Sequence, residues 1–172
     1  MDAKHLSVVG PHMIDRIEAM ARQTPSGIFV ELGVFRGGTA RTLANVAEEQ
    51  GREIHLFDTF TGIPFKGPRD VHCQGDFSAT SEKEVRELIP TAIFHVGIFP
   101  TTMPDKLGHI AFCHIDADQE QSYRDAIRLF SPLMVECLGC RMRFQSRPAV
   151  RRESSLIHLI RLILSSERYW PC

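Results

Sequence analysis

Three stretches of this chain that read as β-strands each close on an acid: Glu31 after Ile28-Phe-Val, Asp58 after Ile54-His-Leu-Phe, and Asp116 after His109 to Ile115. In a parallel sheet the ligand sits beyond the carboxyl ends of the strands, so acids at those ends share one crevice. Asp116-Ala-Asp118 is the sharpest of these sites. Alternation in an extended segment points both carboxylates to one side, with His114 in phase. Such a pair has two chemical uses. It can hold a hard cation such as magnesium, which takes oxygen ligands and often only one or two carboxylates beside substrate oxygens. Alternatively, Asp116 can accept the proton of a hydroxyl nucleophile. Asp118 also suits the N-cap of the helix that follows.

The run Ile28 to Gly38 is an apolar strand opening into a glycine turn. A dinucleotide fingerprint needs glycine at three places, the middle one so that backbone can touch a pyrophosphate. Those places hold Gly33, Phe35 and Gly38. Phe35 therefore argues against NAD and for a cofactor with adenosine but no phosphates, and a strand-turn-helix junction without a ligand is the plainer alternative. Glu31-x-Gly33-x-x-x-Gly37 resembles the first motif of class I S-adenosylmethionine (SAM) methyltransferases. Asp58, closing the second strand, can accept two hydrogen bonds from ribose hydroxyls, or it is a solvated loop acid. Gly-x-Ser-x-Gly is absent, which excludes the usual serine-hydrolase elbow.

These residues need a sheet with helices to position them, and the chain has the length for one such domain. At 172 residues it is too short for two. Ile14, Ile17, Met20 and Ala21 predict an amphipathic helix over 10–23, and Leu43, Val46 and Ala47 predict a second over 37–50 with Gly51 as its stop. Strands are expected at 54–58, 93–97 and 109–116. Ser81 and Glu84 form a capping box for a helix through Leu88. A short helix is expected near 102–106, and another over 119–130 with Tyr123, Ala126, Ile127 and Phe130 inward. Four strands alternating with helices predict an α/β fold: a doubly wound, mostly parallel sheet. Residues 59–81, rich in Gly, Pro and polar groups, are a candidate active-site lid.

Composition narrows the partners. No run of about 18 apolar residues spans a bilayer, and the start lacks a signal-peptide core, so the reading is cytoplasmic with no membrane partner. The net charge of -1 hides an asymmetry. Residues 137–172 carry seven Arg against Glu153 and Glu167, but without aromatic interleaving they do not read as a nucleic-acid site. Cys137 and Cys140 have metal-ligand spacing, yet no second pair follows to complete a structural zinc site.

Val30 to Gly38, Leu56-Phe-Asp-Thr-Phe-Thr-Gly-Ile-Pro64, Gly75-Asp-Phe77 and His114 to Tyr123 together resemble the macrocin O-methyltransferase (TylF) family over about residues 10–134. The resemblance implies a Rossmann-like, SAM- and magnesium-dependent enzyme that methylates a hydroxyl of a sugar or other small natural product. By resemblance, Glu31, Gly33, Val34 and Phe35 line the methionine end of the cofactor. Asp58, Thr59, Phe60, Thr61 and Gly62 hold the ribose and adenine side, and Phe77 lies near the adenine. Asp116 corresponds to the acid that is both metal ligand and general base, and Asp118 to its acidic neighbour.

The chain departs from the family pattern after 134. The family completes its metal site with an Asp-Asp pair after the next strand, and no such pair follows Asp125. The expected organisation is a SAM-binding domain over 1–134 and an Arg-rich tail over 135–172, the tail arising from a frameshift or an alternative reading of the gene. The strands that finish the sheet are then missing, and an open edge predicts either self-association into a homo-oligomer or instability. A truncated relative that binds SAM without catalysis is the competing reading, and a NAD-dependent oxidoreductase is disfavoured by Phe35.

Overall fold

The computed structural model describes residues 3–134; the Arg-rich tail, its proposed origin and the missing strands lie outside the described residues. Local sequence sets each element. Helix α1 (Pro11–Arg22) starts with proline at its first position, where the absent N–H costs nothing, and buries Ile14, Ile17 and Ala21 along one stripe. Strand β1 (Ile28–Leu32) leads into α2 (Gly38–Glu49), which ends where Gly51 takes a left-handed φ of 64°. Strand β2 is Ile54–Asp58 and helix α3 is Glu82–Leu88, whose Ser81 side chain accepts from the Glu84 amide. Strands β3 (Ile93–Val96) and β4 (Ile110–Ile115) precede helix α4 (Glu120–Phe130).

The sheet runs β3-β2-β1-β4 and every pairing is parallel. The chain therefore works outward from β1 to β3 and returns to the other side of β1. This reversal between β1 and β4 is a topological switch point, where open α/β sheets leave a crevice. Both faces are covered. Phe29, Leu56 and Phe112 pack with residues of α1, α2 and α3, whereas Val30, Phe57 and Ile110 pack with Phe99 and, from α4, Ala126 and Phe130. Phe57, Phe99 and Phe130 meet with ring centroids 5.3–5.7 Å apart, an aromatic cluster on the α4 side of the sheet.

One expected element is absent. The segment 102–106 is not a helix: Thr101 N donates to Ile98 O and Met103 N to Pro100 O, giving successive turns. Pro100 and Pro104 each remove a donor that a helix there would need.

Residues 59–81 form no regular element but are tied down at both ends. Ile63 and Gly75–Asp76 exchange backbone hydrogen bonds of 2.9 Å. Gln119 Nε2 donates to Phe65 O at 2.6 Å, and Glu120 N donates to Asp70 Oδ1 at 2.8 Å. Asp70, from the loop, thus caps α4, and Asp118 is not its N-cap: that position is Gln119, whose own side chain makes no cap bond. Among the described residues the outer side of β4 carries one isolated bridge, Ile110 with Met134. No described helix is long and apolar enough to cross a membrane.

Candidate functional site

The first glycine of the turn is demanded by the fold itself. Gly33 has φ of 88°, and a Cβ there would stand 2.3 Å from the Asp116 carbonyl oxygen. Asp116 N donates to Leu32 O at 2.8 Å, so the exit of β4 stays paired beside the exit of β1 and sets the Asp116 backbone against Gly33. A different neighbour explains Gly38, where a Cβ would lie 2.4 Å from Ser7 N. The N-terminal segment lies on the start of α2, with Ser7 Oγ and Thr39 Oγ1 3.0 Å apart. The glycines seat protein against protein. Beyond the strand ends lies an open cleft enclosing about 950 Å³ of space, solvent at its mouth included.

Glu31 lines this cleft, and His114 is its buried partner on the neighbouring strand. They are register partners on β1 and β4, and His114 Nδ1 lies 2.8 Å from Glu31 Oε1. Burial pushes the Glu31 carboxyl up, against the opposing pull of His114. For His114 burial acts downward, but the bond and charge of Glu31, with Asp116 beyond, carry it upward. Glu31 Oε2 is buried and has no hydrogen-bond partner, although its residue lines the cleft. A buried carboxylate oxygen left unpaired is costly and calls for a donor.

Asp58 is occupied differently. Its Oδ2 accepts from Val34 N at 2.6 Å and Phe35 N at 2.9 Å, and its Oδ1 accepts from Phe60 N at 2.7 Å. Phe35 and Phe60 both have positive φ, 52° and 53°, a conformation uncommon for bulky residues. Phe77 shares it at 60°, and its ring meets that of Phe35 edge-on at 5.9 Å to close one wall.

Asp116 and Asp118 line the opposite side. Burial raises the Asp116 carboxyl, with the charge of His114 acting against it. Asp118 is pushed up to about 6, first by burial and then by the charge of Asp116. His72 from the 59–81 loop approaches this acid, with Nε2 3.6 Å from Asp118 Oδ1 and Nδ1 3.7 Å from Asp76 Oδ2. Tyr123 donates to Ile115 O at 3.1 Å, and burial raises its phenol. Among the described residues no three His, Cys, Asp or Glu are grouped to hold a metal ion.

The cleft gathers Glu31, Gly33, Val34 and Phe35 from the first turn, Asp58, Thr59 and Gly62 from the second, and Phe77, Asp116 and Asp118. Phe60 and Thr61 stand apart. Phe60 is buried in the core against Phe94, and Thr61 is exposed. Sequence reasoning missed Gly97, Ile98 and Phe99, which follow β3 and were accessible to the same strand-end rule. It also missed Ser7 and Val8, for which no sequence signal exists, since their place depends on Gly38.

Residues 10–136 match the family described as macrocin-O-methyltransferase (TylF). No curated protein matches the chain. Among solved structures, the O-methyltransferase NovP has a TM-score of 0.65 at 24% identity, covering 75% of this chain and 63% of NovP, which shows a shared fold. A structure described as "cmcI-N160 SAH" has a TM-score of 0.46 at 15% identity over 72% of this chain and 57% of its own. The chain thus spans less than two thirds of the length of either. With the family pattern running from α1 past the last described residue, this chain belongs to the macrocin-O-methyltransferase (TylF) family.

Proposed function

We propose that this chain binds SAM in the cleft and transfers its methyl group to a hydroxyl of a small acceptor, a sugar or another natural product. One observation carries the reading: in a chain of this family, the open oxygen of Glu31 and the Asp116–Asp118 pair face one crevice at the switch point. SAM fits the Glu31 end, because its α-ammonium is the kind of donor that Oε2 lacks. When bound, SAM supplies an electrophilic methyl on a sulfonium, and displacement there needs alignment of the nucleophile and loss of its proton.

The residues divide that work. Glu31, with Gly33 to Phe35, would orient the methionine end, while Phe77 with Asp58, Thr59 and Gly62 would border the adenosine. Asp116, buried and raised, is suited to take the hydroxyl proton, since a base works best with its pKa near the operating pH. Two neighbouring carboxylates, of which Asp116 raises Asp118, also fit a cation, and magnesium held by them would lower the pKa of a bound hydroxyl. Ser7, Val8 and Ile98 would meet the acceptor or shield it from water.

A second reading, SAM binding without turnover, is favoured by the absence of a third metal-binding group among the described residues. Calorimetry with SAM and NAD, followed by methyl-transfer assays with and without a chelator, separates these readings. Asp116→Asn should retain SAM binding and lose about 10²–10⁴-fold in rate. Tight NAD binding without SAM binding would overturn the proposal.

A further inference from the structure

We propose that Asp58 is a positioning residue that locks the two cofactor-binding turns together, and that it does not grip the ribose diol. The inference rests on the SAM reading for its ligand half only. An acid at the end of β2 could hold both ribose hydroxyls only with free acceptor positions on its carboxylate. An ionised carboxylate offers about four such positions. Here three are taken by backbone amides, at 2.6, 2.9 and 2.7 Å. Both positions on Oδ2 are filled, and one remains on Oδ1. That cannot serve a two-hydroxyl grip.

The three bonds have a structural purpose. Val34 and Phe35 belong to the turn after β1, and Phe60 to the turn after β2. Phe35 and Phe60 are both left-handed, a conformation a bulky residue keeps only when its surroundings over-determine it. The same carboxylate bonds the amide of each. Thr80 adds to this by donating its hydroxyl to Phe35 O, and Arg36 Nε donates to Ala79 O at 2.7 Å, so the far end of the 59–81 loop clasps the first turn. Phe35 then presents its ring to Phe77 across the cleft wall. The charge of Asp58 thus sets the shape of the pocket through backbone, and its removal would loosen the whole adenosine side rather than delete one ligand contact.

Asp58→Asn replaces an acceptor oxygen by an NH2 that opposes an N–H. Calorimetry on the wild type and this variant, with S-adenosylhomocysteine and its 2′-deoxy analogue, tests the ligand half. Binding of both ligands should weaken by the same factor, about 10–100-fold, so that deleting the hydroxyl costs equally in the two proteins. A deletion that costs tenfold or more in the wild type and nothing in the variant would overturn the proposal. Amide exchange without ligand tests the other half: Val34, Phe35 and Phe60 should exchange faster together in the variant, and unchanged exchange at these three overturns it. Should the variant not fold, a crystal structure of the wild type with S-adenosylhomocysteine decides, two ribose oxygens within about 3.2 Å of the Asp58 carboxylate being the overturning result. Failure of the wild type to bind S-adenosylhomocysteine would instead sink the proposed function, while the exchange data still judge the turn lock.

Discussion

Glu31 and His114 face each other across neighbouring strands with Oε1 and Nδ1 2.8 Å apart, and both side chains are almost wholly buried. The bond joins β1 to β4 directly beneath the cleft, where the sheet reverses its winding. It uses one carboxylate oxygen and leaves the other for a ligand.

Removing the histidine should therefore be expensive. His114→Ala leaves a buried carboxylate without its partner, a change that typically costs about 3–5 kcal/mol. Urea unfolding should show a loss of that size. The double variant with Glu31→Gln should lose clearly less than the sum of the singles, because the two act as one unit. A His114→Ala loss below about 1 kcal/mol would mean that the pair is hydrated in solution.

Gly33→Ala tests the close approach of the β1 and β4 exits. The new methyl would stand 2.3 Å from the Asp116 carbonyl oxygen, well inside contact distance, and the residue would keep a left-handed φ. A stability loss of more than about 2 kcal/mol is expected, together with weaker methyl transfer because Asp116 moves. Thermal unfolding and rate measurements on the same preparation check both. Full activity with unchanged stability contradicts the observed packing.

Magnesium binding should depend on pH in a definite direction. Asp118 is pushed up to about 6 by burial and by Asp116, so it holds a proton below that pH and cannot act as an oxygen ligand. Affinity should rise as pH increases through about 6 and flatten above 7. Magnesium titrations at pH 5, 6 and 7.5 would reveal it. A flat profile would exclude Asp118 as a ligand.

The two described cysteines should differ sharply toward iodoacetamide. Cys73 is exposed on the 59–81 loop, whereas burial, reinforced by the charge of Glu31, pushes the Cys113 thiol up to about 12. Alkylation requires the thiolate. Peptide mapping after brief treatment at pH 8 should find Cys73 labelled and Cys113 intact, and the reverse pattern would contradict the burial of β4.

Much of the fold was legible because it is locally encoded. The periodicity of Ile14, Ile17 and Ala21, the apolar run before Glu31, and the Ser81 cap each act within a few residues, and α1, β1 and α3 lie where these signals point. The helix expected near 102–106 failed for an equally local reason, since Pro100 and Pro104 each remove a donor that it would need. Phe60 was read as a ligand residue from its place in a motif, yet the left-handed backbone at that position turns its ring into the core.

By itself, then, the sequence determined the order of strands and helices, the parallel α/β class and the acids at three strand ends, because propensity and periodicity are properties of short segments. Only the tertiary structure decided what those acids do. It set Glu31 against His114, turned Asp58 onto three backbone amides, and left the capping of α4 to Asp70, freeing Asp118 for the cleft. These partners lie far apart in the chain, and strand register, burial and the close backbone approach at Gly33 bring them together.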